Sequence, residues 1–228
     1  DDLRHDPPAV DPYEATRKAL ENPLRMAPLK ELAKPGSKVI ICCPDRVKGG
    51  AHKEAHRRVS IPIIVEELRK AGVNLKNIKL MICSGLHRKN TKRELDWYLG
   101  EEIVNAFWPD RLVWHDAEDP NGIVNFGTDE MGDVVEVNKD IVEADLAISI
   151  GHALGNPYGG YSGGYKMIAT GMTTWRSIRC HHCPDTMHLE SFIPVNITRS
   201  RMRKQFDAIG KAVEKGMGKK FFFVDAEL

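Results

Sequence analysis

Between Ile150 and His182 the sequence reads IGHALGNPYGGYSGGYKMIATGMTTWRSIRCHH, which brings one lysine amine and a histidine pair into a single short segment. Lys166 follows a loop in which Gly159, Gly160, Gly163 and Gly164 permit positive φ and a close approach of backbone to a ligand. His181 and His182 then close a helix-compatible stretch. An amine on an adaptable loop can bond covalently to a cofactor, and an imidazole can ligate a metal, so the segment reads as a cofactor cradle. It departs from the P-loop. Gly159 and Gly164 have that motif's spacing, but Tyr165 stands at the lysine position and Met167 follows Lys166 where a magnesium-binding hydroxyl is needed. The plainer alternative is a surface loop with a solvated lysine.

Three further groups could do chemistry. Cys180 and Cys183 have C-x-x-C spacing and enclose His181 and His182, with His188 close behind, which raises a zinc site. A closed zinc site takes four ligands, and no second cysteine pair is present to supply them. In SGLHRKNT, His87 and Arg88 lie between an apolar run and a helix start that Asn90 or Thr91 could cap, with Glu94 completing a capping box. An imidazole there can carry a proton near neutral pH. Asp45, Arg46 and Lys48 follow another apolar run, and such a mixed set can hold the hydroxyls and phosphate of a nucleotide. His52, His56, Arg57 and Arg58 read most simply as a solvated face, although His52 and His56 have the i, i+4 spacing of a helical metal pair.

The elements that must position these residues alternate. A helix interrupted near Pro23 is predicted over 14–34, with Leu20, Leu24, Leu29 and Leu32 on its apolar face. Strands follow at KVIICC (38–43) and IKLMIC (78–83), separated by a helix over 60–71 that Gly72 would end. A helix at 92–99, a strand at 111–115, an acidic turn-rich stretch over 116–133, a strand at 145–150, a helix at 199–215 and a last strand at 220–224 complete the pattern. Alternation of this kind predicts an α/β domain with a mainly parallel sheet and helices on both faces. Ligands then bind beyond the carboxyl ends of the strands, where PDRVK, SGLHRKNT and the glycine loop all fall.

Composition narrows the partners. The 228 residues carry 33 basic and 32 acidic side chains, a balance that predicts no general attraction to nucleic acid or to an anionic membrane and points instead to a small molecule. No apolar run has the length of a membrane span. Five cysteines, with Cys42 and Cys83 inside apolar runs, fit a reducing cytoplasm better than a disulfide framework.

Taken together, PDRVK, GLHRKNTKREL and the segment from Gly151 to His182 resemble the N-terminal domain of the nickel-pincer lactate racemase family, from about residue 24 to the end of the chain. The most specific element is S-G-G-x-K followed by a histidine sixteen residues after the lysine. The resemblance implies a Rossmann-like domain and a racemase or epimerase of a 2-hydroxy acid. It also implies a cofactor, the nickel-pincer nucleotide (nickel pyridinium-3-thioamide-5-thiocarboxylic acid mononucleotide), tethered to a lysine through a thioamide. On that reading Lys166 is the covalent anchor, His182 the nickel ligand, and His87 the group that takes the substrate's hydroxyl proton while hydride leaves its α-carbon. Asp45, Lys48, Gly163 and Gly164 contact the cofactor. Return of hydride to the opposite face would invert the centre.

Three departures from the family pattern carry consequences. Lys48 stands where an arginine is usual, which keeps the charge but loses the planar fork. Asn156 stands where a second proton-carrying histidine is expected, and an amide is neither acid nor base near neutrality, with His152 or Tyr158 as possible substitutes. Family members also continue into a C-terminal domain that closes over the cofactor. The division implied is a peripheral segment over 1–23, a cofactor-binding domain over 24–218, and the start of a link at 219–228 to a C-terminal domain beyond this chain. The alternatives are a non-catalytic cofactor carrier or degenerate paralogue, and a zinc hydrolase built on Cys180 to His188.

Overall fold

The computed structural model describes residues 10–226. In chain order the first half comprises α1 (Pro12–Glu21), α2 (Leu29–Leu32), β1 (Val39–Pro44), α3 (His56–Lys70), β2 (Ile78–Cys83), α4 (Lys92–Leu99), α5 (Glu101–Phe107) and β3 (Leu112–Trp114). The second half comprises β4 (Ile123–Thr128), β5 (Val134–Asn138), α6 (Lys139–Glu143), β6 (Leu146–His152), β7 (Gly155–Asn156), β8 (Gly160–Tyr161), α7 (Tyr165–Gly171), α8 (Trp175–His181), α9 (Arg201–Met217) and β9 (Phe222–Ala226). Five strands form one parallel sheet in the order β3-β2-β1-β6-β9.

Side-chain alternation explains why both faces are covered. Val39, Ile41 and Cys43 of β1 face one way, with Leu80 and Ile148 beside Ile41, and pack under α1 to α5. Ile40 and Cys42 face the other way, with Met81 and Ala147, and pack under α6, α7 and α9. Strands buried on both sides read as unbroken apolar runs, which is why β1, β2 and β6 were legible. The chain runs from β1 outward to β2 and β3, then returns to the other side of β1 as β6. A crevice opens where the connections diverge, at the carboxyl ends of β1 and β6.

Several expectations need correction. The helix over 14–34 is two: α1 ends at Glu21, capped by Asn22 ahead of Pro23, and α2 is a single turn after Pro28. Leu20 and Leu29 are buried, but Leu24 lies in the connection and is 93% exposed. The acidic stretch over 116–133 contains β4, which pairs antiparallel with β5. Its residues are half-buried or exposed, so no apolar run marked it. The segment after Lys166 is two helices, broken where Thr174 caps α8 by accepting from Ser177 N. α3 begins at His56, with His56 and Arg57 buried rather than on a solvated face, and His52 precedes the helix, so the pair lacks helical metal spacing. Residues 1–9 of the peripheral segment lie outside the described residues; α1 packs on α3. Of the segment over 219–228, Phe222–Ala226 is sheet, paired with β6. Among the described residues no helix is long and apolar enough to cross a membrane.

Candidate active site

A cavity of about 420 Å³ lies at the carboxyl ends of the strands. Its walls come from Pro44 and Asp45 at the end of β1, Cys83 and Ser84 at the end of β2, and Gly151 and His152 at the end of β6. Lys48, His87, Gly163, Lys166 and His182 all reach it. Gly164 does not line it; its N–H donates to Asp225 Oδ2 at 3.0 Å, fixing the loop just before α7.

Lys166 sits in the first turn of α7 and is buried. Its Nζ donates to Asn156 Oδ1 and to the Tyr158 carbonyl, both at 2.7 Å. No carboxylate is among these partners, so burial, with help from the Lys48 and Arg203 charges, brings its pKa down to about 7. Part of the population is therefore a free amine at neutrality, a nucleophile as ordinary lysines are not. Gly163 must be glycine for two reasons. Its φ is +76°, and a Cβ there would come within 2.9 Å of both Asp225 Oδ1 and the His152 carbonyl.

His182 caps the end of α8, stacked on Tyr158 with centroids 5.7 Å apart and planes 13° from parallel. Lys166 Nζ lies 5.5 Å from the centre of the same ring, so tyrosine links amine and imidazole. Burial and the neighbouring Lys166 push His182 down to about 4, leaving a neutral imidazole with the lone pair that metal ligation needs. On the opposite wall, His87 is half exposed and its Nδ1 donates to buried Asp45 Oδ2 at 2.9 Å. Asp45 is held in turn by Val47 N, donating to Oδ1 at 3.1 Å. This aims His87 Nε2 away from Asp45 and leaves it free to exchange a proton. Thr91 and Glu94 form the anticipated capping box at the start of α4.

The zinc cluster is not assembled. Cys180 Sγ turns back to the Arg176 carbonyl, Cys183 Sγ to Cys180 O and Thr186, and His188 is exposed. Among the described residues no three His, Cys, Asp or Glu side chains gather for a metal. Sequence reasoning missed Arg57, which is fully buried and donates to the Pro44, Asp45 and Gly50 carbonyls, shaping the turn that carries Asp45 and Lys48. It also missed Asp225, whose carboxylate meets the glycine loop from β9. Nothing in the local pattern marks either residue, because Arg57 acts on the irregular turn ahead of its own helix and Asp225 on Gly164, 61 residues away. His152 lines the cavity with a buried Nε2 that has no hydrogen-bond partner among the described residues.

A family model for the lactate racemase N-terminal domain matches residues 3–192. The chain belongs to that family. The lactate racemases of Thermoanaerobacterium thermosaccharolyticum and Lactiplantibacillus plantarum are each 30% identical to it over 169 residues, which is 74% of this chain and 38% of theirs. The apoprotein structure of the Thermoanaerobacterium thermosaccharolyticum lactate racemase superposes with a TM-score of 0.77 at 26% identity, over 89% of this chain and 46% of that one. A Thermotoga maritima protein shares the fold, with a TM-score of 0.66 at 17% identity over 94% of this chain and 50% of its own. The matched part of the chain thus covers 38% of the length of each of these lactate racemases. Family membership and the parallel α/β architecture stand together.

Proposed function

We propose that this chain is the cofactor-bearing domain of a racemase or epimerase acting on a small 2-hydroxy acid, with a nickel-pincer nucleotide tethered to Lys166. The observation that carries the reading is the buried Lys166 amine, brought down to about 7 in a cavity that also receives His182 and His87. Family membership supports the racemase class; the chemistry of the cavity's side chains supports the tether, the metal and the substrate. When bound, the nucleotide would supply a hydride acceptor for the substrate's α-carbon.

The chain's own residues have distinct tasks. Lys166 presents a neutral amine for the covalent bond, steadied by Asn156 Oδ1 and Tyr158 O. His182 offers a neutral ring nitrogen to the nickel. His87 accepts the hydroxyl proton at Nε2, and Asp45 stabilises the imidazolium that results. Lys48 and the unpartnered His152 Nε2 are placed for the polar groups of a nucleotide or a carboxylate. The free thiols of Cys42, Cys43 and Cys83, all buried, suit the reducing cytoplasm.

Asn156 favours a second reading, a carrier that holds the cofactor without inverting a substrate, because its amide is committed to Lys166 and supplies no second proton. One experiment separates the cases: peptide mass spectrometry and metal analysis of the full protein from a nickel-supplied host that makes the cofactor, followed by a chiral assay with 2-hydroxy acids. A mononucleotide-sized adduct on Lys166 with about one nickel per chain, and inversion of a hydroxy acid, is the expected result. An adduct without turnover selects the carrier, and an unmodified Lys166 in that host overturns both.

A further inference from the structure

The two histidines at the end of α8 are hydrogen-bonded to each other, His181 Nδ1 to His182 Nδ1 at 2.6 Å. One nitrogen must donate and the other accept. The direction is decided at the far side of His181, whose Nε2 lies 3.2 Å from the Ala169 carbonyl. A carbonyl oxygen only accepts, so Nε2 of His181 carries the hydrogen. A second proton on this ring would bury an unpaired cation, since His181 is fully buried and its polar contacts are Ala169 O and His182. His181 is therefore neutral, its Nδ1 is a bare acceptor, and the hydrogen between the rings belongs to His182 Nδ1. The lone pair of His182 is left on Nε2, on the side of the ring away from His181.

We propose that His181 is a positioning residue that fixes the tautomer of His182, so that Nε2 is presented to the metal before any metal arrives. The inference rests on the assignment of His182 as the metal ligand. Its reach is structural as well as chemical. Ala169 belongs to α7, the helix that carries Lys166, so the chain of hydrogen bonds from Ala169 through His181 to His182 ties the covalent anchor's helix to the ligand. The rings are clamped from outside: His181 meets Phe206 edge to face at 4.9 Å, and His182 stacks on Tyr158. Partners of this kind, which hold the other nitrogen of a metal-binding histidine, are worth roughly tenfold to a hundredfold in metal affinity.

Long-range ¹H–¹⁵N correlation of histidine-labelled, metal-free full chain at pH 7.5 reads the tautomer directly. The expected spectrum has His182 protonated at Nδ1 and bare at Nε2, and His181 the reverse. His181→Gln keeps an acceptor toward His182 and a donor toward Ala169, so it should preserve the His182 pattern, whereas His181→Phe should move the hydrogen to Nε2. On protein carrying the Lys166 adduct, His181→Phe should then retain nickel at least tenfold less tightly than His181→Gln. A wild-type His182 protonated at Nε2 overturns the proposal, and so does the same His182 pattern in wild type and His181→Phe. The wild-type spectrum decides the tautomer even if a variant fails to fold. Because it needs no cofactor, failure here is distinguishable from failure of the tether assignment, which the Lys166 mass reports.

Discussion

A lysine whose amine is brought down to about 7 from an ordinary 10.5 costs the folded chain stability, and the pH dependence of that cost is signed. Between about 7 and 10.5 the unfolded state holds a proton that folded Lys166 has released, so stability rises with pH through that window. Below it the penalty is complete; above it the penalty is gone. This group alone contributes a slope of about 1.4 kcal/mol per pH unit. Lys166→Met removes it, so urea unfolding of the cofactor-free chain should show the variant gaining on wild type most at pH 7 and progressively less toward pH 10. Parallel curves for the two proteins would mean that the buried amine keeps its ordinary affinity for protons. The same penalty has a functional side. An amine held dry beside Tyr158 and Asn156 is reactive because the fold has made its charged form unfavourable, and forming the covalent bond abolishes the charge.

At the scale of elements, the turn after β1 depends on a residue that local pattern misassigned. Arg57 in the first turn of α3 looks solvated in HRR, yet it is buried, with its guanidinium donating to three carbonyls of the 44–50 turn and lying 4.5 Å from the centre of the Tyr98 ring. Arg57→Lys cannot reproduce that fork, and the carbonyls left without donors should cost about 2–4 kcal/mol in urea unfolding. Hydrogen exchange should rise over 45–51, the turn that carries Asp45 and Lys48, while α9 stays protected. A uniform rise across both would make Arg57 a general core residue instead. The contrast between Arg57 and β1 shows what was legible. β1, β2 and β6 declared themselves because burial on both faces demands continuous apolar runs, and the groups at their ends, Asp45, His87 and Lys166, were found from strand position and glycine content. The β4–β5 hairpin, α5, Arg57 and Asp225 were not. Their roles depend on half-buried edges or on contacts such as Asp225 with Gly164, separated by 61 residues, for which no local period exists.

For the whole molecule, the question is where the folding unit ends. The family resemblance placed the boundary of the cofactor domain at 218, yet β9 lies beyond it and forms the fifth strand, in register with β6 from Ile148 opposite Phe222 to His152 opposite Ala226. Phe221 and Phe222 are almost fully buried there. Burying each phenylalanine stabilises by about 1.5–3 kcal/mol, so the pair represents a large part of the roughly 5–15 kcal/mol by which a domain is stable. Removing β9 would also expose an unpaired edge on β6, an invitation to intermolecular pairing, and take Asp225 away from the glycine loop ahead of Lys166. A chain ending at Gly218 should therefore lose its cooperative thermal transition and aggregate, whereas one ending at Ala226 should retain it. If the shorter chain unfolds cooperatively at an unchanged midpoint, β9 is an appendage to the sheet and the boundary at 218 stands. The parallel direction of β9 gives the expected answer a functional meaning. Its carboxyl end lies at the same edge of the sheet as those of β1, β2 and β6, so the strand that completes the sheet also delivers the carboxylate of Asp225 to the glycine loop ahead of Lys166.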